Sequence, residues 1–397
     1  MEKLRIIVGG YLGLYPTGGA TWDYIQYPLG LKMLGHDVYY IEDTGQYPIF
    51  QKEKDAWDDA SFCIGYLKDI METLGMKDKW AYRDVASGKS YGMSEAKIID
   101  LCNSADVFIN ISYSTYPRDE YLKIANRILI DSDPMFTQMQ YLLQENGGSG
   151  TSQTWTTKQL VEGHTHLFTF GENIGAEDCK IPLLDNIWIP TRQPVVMDLW
   201  NREPNNPSFG FTSIMNWSGR KKLIYENEGW GQKDVEFEKY KEVPLRLPDV
   251  NFEIVINKPL NKDSHFNIKE FETLGWRILD PQEFVNNSSD YRNFIFNSTA
   301  EFGVAKETYV KSNSGWFSCR SACYLAAGKP VITQETQWSK YIPAGNGLFA
   351  FTDVESAIDA INKVRSDLKN QSIRAKETAR EYFDSNIVLK KMLEQLN

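Results

Sequence analysis

The 397-residue sequence is short of cations: 43 Lys and Arg stand against 53 Asp and Glu, a formal net charge of −10. Non-specific nucleic-acid binding needs clustered Lys and Arg, and no long basic run is present, which argues against that class of function. A local basic pocket for a small anion remains open. Cysteine is scarce too, with five residues and no paired CxxC spacing. That usage points to reduced thiols rather than a disulfide framework or a zinc site. No stretch approaches the roughly 18 apolar residues of a membrane span. The opening MEKLRIIVGG leads from charge into a strand without the apolar core of a signal peptide. A cytoplasmic protein is the expectation. The P-loop pattern GxxxxGK[ST], a clean GxGxxG and any clustered set of metal ligands are likewise missing.

Aromatic residues, in contrast, reach 13%, with 11 Trp and 21 Tyr. They serve either a large core or an apolar, ring-binding cleft. The length suits two domains of roughly 150–200 residues each.

The order of elements points the same way. LRIIVGG reads as a strand, GGYLGLYPTGGATWDY as a glycine-rich loop, YIQYPLGLKMLG as a helix and DVYYIED as a second strand. Strand, loop, helix and strand in succession are the signature of a parallel sheet. Helices near 58–75, 94–103 and 118–126 alternate with the strands DVFINIS, RILIDSDP and HTHLFTFGE. The segment WIPTRQPVVMDLWNREPNNPSFG, with prolines 190, 194, 204 and 207, reads as a linker. Alternation then restarts with FGFTSIMNW, VNFEIVIN, GWRILD and NFIFNSTAEFGV, and the tail from 373 reads as helical throughout. The expected architecture is α/β: two Rossmann-like, doubly wound parallel-sheet domains facing across a cleft. The first covers 1–195, the second 196–375, and a C-terminal helix over 376–397 packs back toward the first. Ligands of such sheets bind at the carboxyl ends of the strands.

Several groups invite chemistry. Gly9, Gly10, Gly13, Gly18 and Gly19 follow the first strand, where backbone approaches either a ligand or simply a neighbour in a tight turn. Glu42 and Asp43 end the second strand, a place that suits a ribose, although the dinucleotide fingerprint before them is absent. Arg220, Lys221 and Lys222 follow the strand FTSIMNW, and Lys306 lies in EFGVAKETYVK. In SGWFSCRSACYLAAGKPVI a helix is predicted from Ser318 to Ala327. Ser318 is its N-cap, Gly328 its left-handed C-cap, and Pro330 bars continuation. Arg320 then sits in the first turn, with Ser318 and Ser321 as hydroxyl donors. A helix start offers free N–H groups and partial positive charge, so these cations read as a phosphate site; the plainer reading is a capped crossover helix with surface cations. Arg320→Ala is accordingly expected to weaken anion binding far more than folding. Cys319 and Cys323, four apart, read as buried thiols.

The stretch from AEFGVAKETYV through SGWFSCRSACYLAAGKPVITQETQWSKYIPAGNGLFAF resembles the donor-binding half of nucleotide-sugar glycosyltransferases of the two-lobed GT-B fold. The matching features are Ala326 to Ile332, Gly345 to Phe349, and Ala357 to Ile361. The resemblance covers about the last 190 residues; the first half matches in architecture only. It implies a nucleoside diphosphate-sugar held by the second lobe, an acceptor held by the first, and neither cofactor nor metal. Many retaining members of the group carry two glutamates eight apart around this helix, the second usually contacting the ribose. Those positions are Gly315 and Cys323 here, so a ribose contact is expected from Glu335 or Gln337 instead.

For a base near the acceptor hydroxyl the first half offers Asp133, Asp23 and His166, with Asp131, His164 and Glu172 behind them, while His36 resembles a structural position. Gly10, Tyr11, Gly18, Gly19 and Trp22 are expected on the acceptor side of the cleft; Tyr15, Tyr24 and Tyr27 serve either there or in the core. The reading is a hexosyl-transferring enzyme. A nucleotide-sugar epimerase of the same fold and a non-catalytic nucleotide-sugar-binding protein are the alternatives.

Overall fold

The structure is a computed structural model and describes residues 2–49, 58–145, 156–202, 206–218, 222–257 and 266–396. The first lobe is built on eight strands: β1 (Arg5–Gly9), β2 (Asp37–Glu42), β3 (Trp80–Arg83), β4 (Ser90–Gly92), β5 (Val107–Ile111), β6 (Asn126–Asp131), β7 (His166–Thr169) and β8 (Trp188–Pro190). Their order across the sheet is β4-β3-β2-β1-β5-β6-β7-β8, parallel throughout except for β4. Strands such as RIIVG and VFINI are near-continuous apolar runs, because helices cover both faces of the sheet.

The second lobe holds β9 (Phe209–Asn216), β12 (Phe252–Asn257), β13 (Trp276–Leu279), β14 (Ser298–Gly303), β15 (Val331–Gln334) and β16 (Leu348–Phe351). They run in the order β13-β12-β9-β14-β15-β16, all parallel. A two-stranded hairpin, β10 (Leu223–Tyr225) and β11 (Glu228–Trp230), is inserted after β9. Each sheet reverses its strand order once, between β1 and β5 and between β9 and β14. These switch points are where a crevice opens in doubly wound sheets.

Three departures from the sequence reading have local causes. β8 forms within the stretch that reads as a linker, because an edge strand tolerates Pro190 at its end. The helix expected near 118–126 is only Asp119–Leu122. The tail is not one helix: Leu368–Tyr382 stops, Asp384 pairs as a β-bridge with Val195, and its side chain caps Ser385–Glu394. That last helix packs on the Gly18–Met33 helix, with Ser385 and Leu389 against Gly30.

The lobes also meet directly. The Gly18–Met33 helix lies on Ser288–Asn297, and the Trp22 indole donates to the Ser288 carbonyl at 2.8 Å. Burying an indole against a carbonyl of the other lobe satisfies its one donor while removing a large ring from water. Among the described residues, no helix is long and apolar enough to cross a membrane.

Candidate functional site: the cleft between the lobes

A cavity of about 780 Å³ lies between the lobes at the carboxyl ends of their strands. The second lobe contributes Lys306, Tyr309, Trp316 and Cys319 to its wall. The helix beginning at Cys319 runs to Ala326, and Gly328 ends it at φ +71°, as the sequence predicts. Ser318 stands at the N-cap position but makes no capping bond, and the first-turn amides have no partner within the helix.

One residue further on, Arg320 is nearly buried. Its Nε donates to Glu301 Oε1 at 2.5 Å and its Nη1 to the Ile214 carbonyl at 2.5 Å. The guanidinium thus ties the helix start to the ends of β9 and β14. Burial works against its charge, but the Glu301 carboxylate beside it holds its pKa above the ordinary value. Glu301 is fully buried, and among the described residues its Oε2 has no hydrogen-bond partner, nor does the buried Ser321 hydroxyl.

Beside this pair sits Lys233, first residue of the Lys233–Phe237 helix and only 8% exposed. Its ammonium has no hydrogen bond or ion pair among the described residues. Burial pushes its pKa well down, the Arg320 and Lys306 charges push it further, and Glu301 opposes them. Lys233 lies within the fields of Arg320 and Lys306, beside a helix start whose first-turn amides also favour an anion.

The first lobe closes on this wall. Lys306 Nζ lies 2.6 Å from Asp133 Oδ1, and the Tyr309 hydroxyl donates to the same oxygen. Trp316 stacks on Tyr309 at 4.3 Å and donates its indole N–H to the Ser132 carbonyl at 3.1 Å. Asp131 is not free for chemistry: it accepts from Thr137, Gln138 and Thr169, and burial raises its pKa to about 6. Asp23, from the Gly18–Met33 helix, faces the cleft. Burial raises its carboxyl to about 7 while Arg320 draws it down. Its carboxylate accepts no hydrogen bond from the described residues.

Other sequence candidates take different places. His166 starts β7, at the amino end of the sheet and opposite the cleft, where it pairs with the Thr165 hydroxyl. His164 is held between the Leu160 carbonyl and Asn110, with its pKa lowered to about 4 by burial. His36 accepts the Leu4 amide. Glu172 forms a two-pronged pair with Arg192 at 2.6 Å. Gly18 and Gly19 do not border the acceptor space: a Cβ on Gly18 would meet the Asn287 carbonyl at 2.4 Å, and Gly19 faces Tyr291, so with Trp22 they belong to the lobe interface. Gly10 packs under Tyr40 and Tyr24, while Tyr11 lines the cleft.

Glu42 closes the glycine loop by accepting the Gly13 and Leu14 amides, and Asp43 binds Arg83 and Arg118, so neither is available to a ribose. Glu335 holds the Ser339 amide at 3.4 Å, and Gln337 adopts φ +76° at the following turn. Arg220 and Lys221 lie outside the described residues. Lys222 lies against Gly229 within the hairpin.

Sequence reasoning missed Lys233 and Tyr309. The signal for Lys233 was a cation opening a helix just after GWGQ, but the unrecognised β10–β11 hairpin separated it from the end of β9. Among the described residues, no cluster of three or more metal-ligand side chains occurs.

Two facing lobes of this topology define the GT-B fold of glycosyltransferases. The chain resembles a glycosyltransferase from Rickettsia africae ESF-5 at 13% identity, covering 99% of this chain and 98% of that one, with a TM-score of 0.52. It resembles Anabaena Alr3699/HepE, solved in complex with UDP-glucose, at 11% identity over 99% of both chains and a TM-score of 0.56. AviGT4, a glycosyltransferase involved in avilamycin A biosynthesis, aligns at 10% identity over 99% and 96%, with a TM-score of 0.51. No family model and no curated protein matches the sequence. At these identities the likeness is one of fold.

Proposed function

We propose that the protein transfers a sugar, of the hexosyl class, from a nucleoside diphosphate-sugar to an acceptor hydroxyl. The observation that carries this reading is Lys233, buried and without a hydrogen bond or ion pair among the described residues, within the fields of Lys306 and of Arg320 at the start of the Cys319–Ala326 helix. A buried ammonium without a direct ion pair is costly, and a diphosphate would supply one. The UDP-glucose bound to Alr3699/HepE is a ligand of that class on a similar fold.

In the reaction, the acceptor oxygen bonds to the anomeric carbon as the bond from that carbon to the diphosphate oxygen breaks. The electron pair stays with the diphosphate, where Lys233, Arg320 and the helix amides offset the growing charge. The acceptor proton goes to Asp23, whose pKa of about 7 suits a base at neutral pH. In this scheme Asp133 positions Lys306 and Tyr309, and the cations and amides balance the leaving group without a metal.

A thermal-shift panel of UDP, dTDP, GDP and ADP tests the proposal. At a hundredfold excess over Kd, binding stabilises by roughly 2.7 kcal/mol. Stabilisation by one of the four, lost in Lys233→Ala, is expected. No shift with any nucleoside diphosphate overturns the reading. Incubating the sugar nucleotide alone separates transfer from epimerisation, since an epimerase releases an altered sugar without an acceptor.

A further inference from the structure

The acceptor half of the cleft has a chemical character of its own. Among the described residues lining it, the first lobe contributes no Lys, Arg or His. Its charged groups are Asp23 and Asp133, and Lys306, the cation that the second lobe contributes to the lining among the described residues, is already held by Asp133. The rest of that wall is neutral and polar, or aromatic. Gln46 and Gln140 have side-chain amides with no partner among the described residues, and Ser112 and Ser132 share a hydrogen bond at 2.6 Å. Tyr11 meets Tyr15 edge-to-face at 5.4 Å, and Tyr15 is 39% exposed. Ser112 and Tyr113, at the end of β5, both hold left-handed backbone, φ 55° and 59°. Two successive non-glycine residues in that region are strained, and such strain gathers at ligand sites.

Resting on the sugar-transfer reading, we infer that the acceptor is a neutral saccharide. Three acceptor chemistries meet this wall differently. A phosphate or uronate meets Asp23 and the Lys306-paired Asp133 with no Lys, Arg or His from the first lobe among the described lining residues, so that wall offers its charge no compensation. A lipid chain strips water from amides and hydroxyls and gives them nothing in return. A neutral pyranose presents hydroxyls to Gln46, Gln140 and the carboxylates, and C–H faces to the tyrosine rings. It satisfies both kinds of surface. The proton that Asp23 removes then comes from a sugar hydroxyl held by groups that do not neutralise Asp23.

The test is saturation-transfer NMR on the whole protein, with and without saturating UDP. The probes are the methyl glycosides of glucose, galactose, mannose and N-acetylglucosamine, set beside methyl glucuronoside, glucose 6-phosphate and octanol. At least one neutral glycoside is expected to bind, and the charged sugars and octanol to bind roughly tenfold more weakly or not at all. Asp23→Asn is expected to narrow the gap between neutral and charged sugars. A glucuronoside or phosphate that binds as tightly as its neutral parent overturns the inference, as does binding of octanol alone or of no neutral glycoside. The UDP-induced thermal shift, measured on the same samples, judges the donor reading separately. A failure to bind UDP leaves the ranking of glycosides measurable without it.

Discussion

Lys233 sets the clearest trade between stability and binding at the residue scale. Replacing it with Met removes a buried cation that lacks a partner among the described residues, so the ligand-free protein is expected to gain roughly 1 kcal/mol in denaturant unfolding. The same change is expected to weaken nucleoside diphosphate binding by about tenfold or more, the worth of one charge-assisted bond. Asp23 makes a second trade, this time in pH. Its folded carboxyl titrates near 7, while an unfolded Asp titrates near 4. Between those values the folded state keeps a proton that the unfolded chain has lost. Its stabilising contribution is therefore complete below about pH 4 and is lost as pH rises through 7, at up to about 1.4 kcal/mol per unit. Transfer activity is expected to rise through that same window as the base becomes free. Asp23→Asn should flatten the stability profile measured by urea unfolding from pH 4 to 8 and abolish the rising limb of rate. The side chains on both sides of this titration were visible as candidates in the sequence. Their ranking was not, because burial and the nearness of Arg320 are properties of the fold. His166 shows the converse: the strand was read correctly, but its direction puts that residue at the far edge.

For the elements, the Cys319–Ala326 helix was legible almost to the residue, since Ser318, Gly328 and Pro330 mark its ends by local chemistry. The role of its arginine was not legible. Arg320 is expected by sequence to act on the ligand far more than on stability, whereas the structure gives it Glu301 and the Ile214 carbonyl as partners. Arg320→Ala strands Glu301 in the interior and is expected to cost about 3–5 kcal/mol of folding stability. Adding Glu301→Gln should recover a large part of that loss in the same unfolding assay. The hairpin β10–β11 went unread because three-residue strands around Glu226 and Asn227 carry too short a pattern. Gly18 shows how a glycine can be misassigned when its neighbour is remote in sequence. The sequence offers a loop glycine near a ligand, but the close atoms are Asn287 and Tyr291 of the other lobe. Gly18→Ala is expected to destabilise by roughly 1–3 kcal/mol, as overpacking does, and circular dichroism melting would register it.

Taken whole, the molecule is two parallel sheets whose carboxyl edges face one cavity, and the alternation of strands and helices made that much readable. What joins the sheets was not: Trp22 to Ser288, Val195 to Asp384 and Lys306 to Asp133 link positions between 173 and 266 residues apart or lie beyond any local period. These links hold the cations of one lobe against the carboxylates of the other, and the proposed chemistry needs both. The basin around Lys233 is the centre of the account, and calorimetric titration reads it most directly. Titrating the protein with the nucleoside diphosphate selected by thermal shift, and with its monophosphate, is expected to show the diphosphate binding at least about tenfold tighter, with the difference gone in Lys233→Ala. Equal affinity for both nucleotides, or a preference that survives without Lys233, would contradict it.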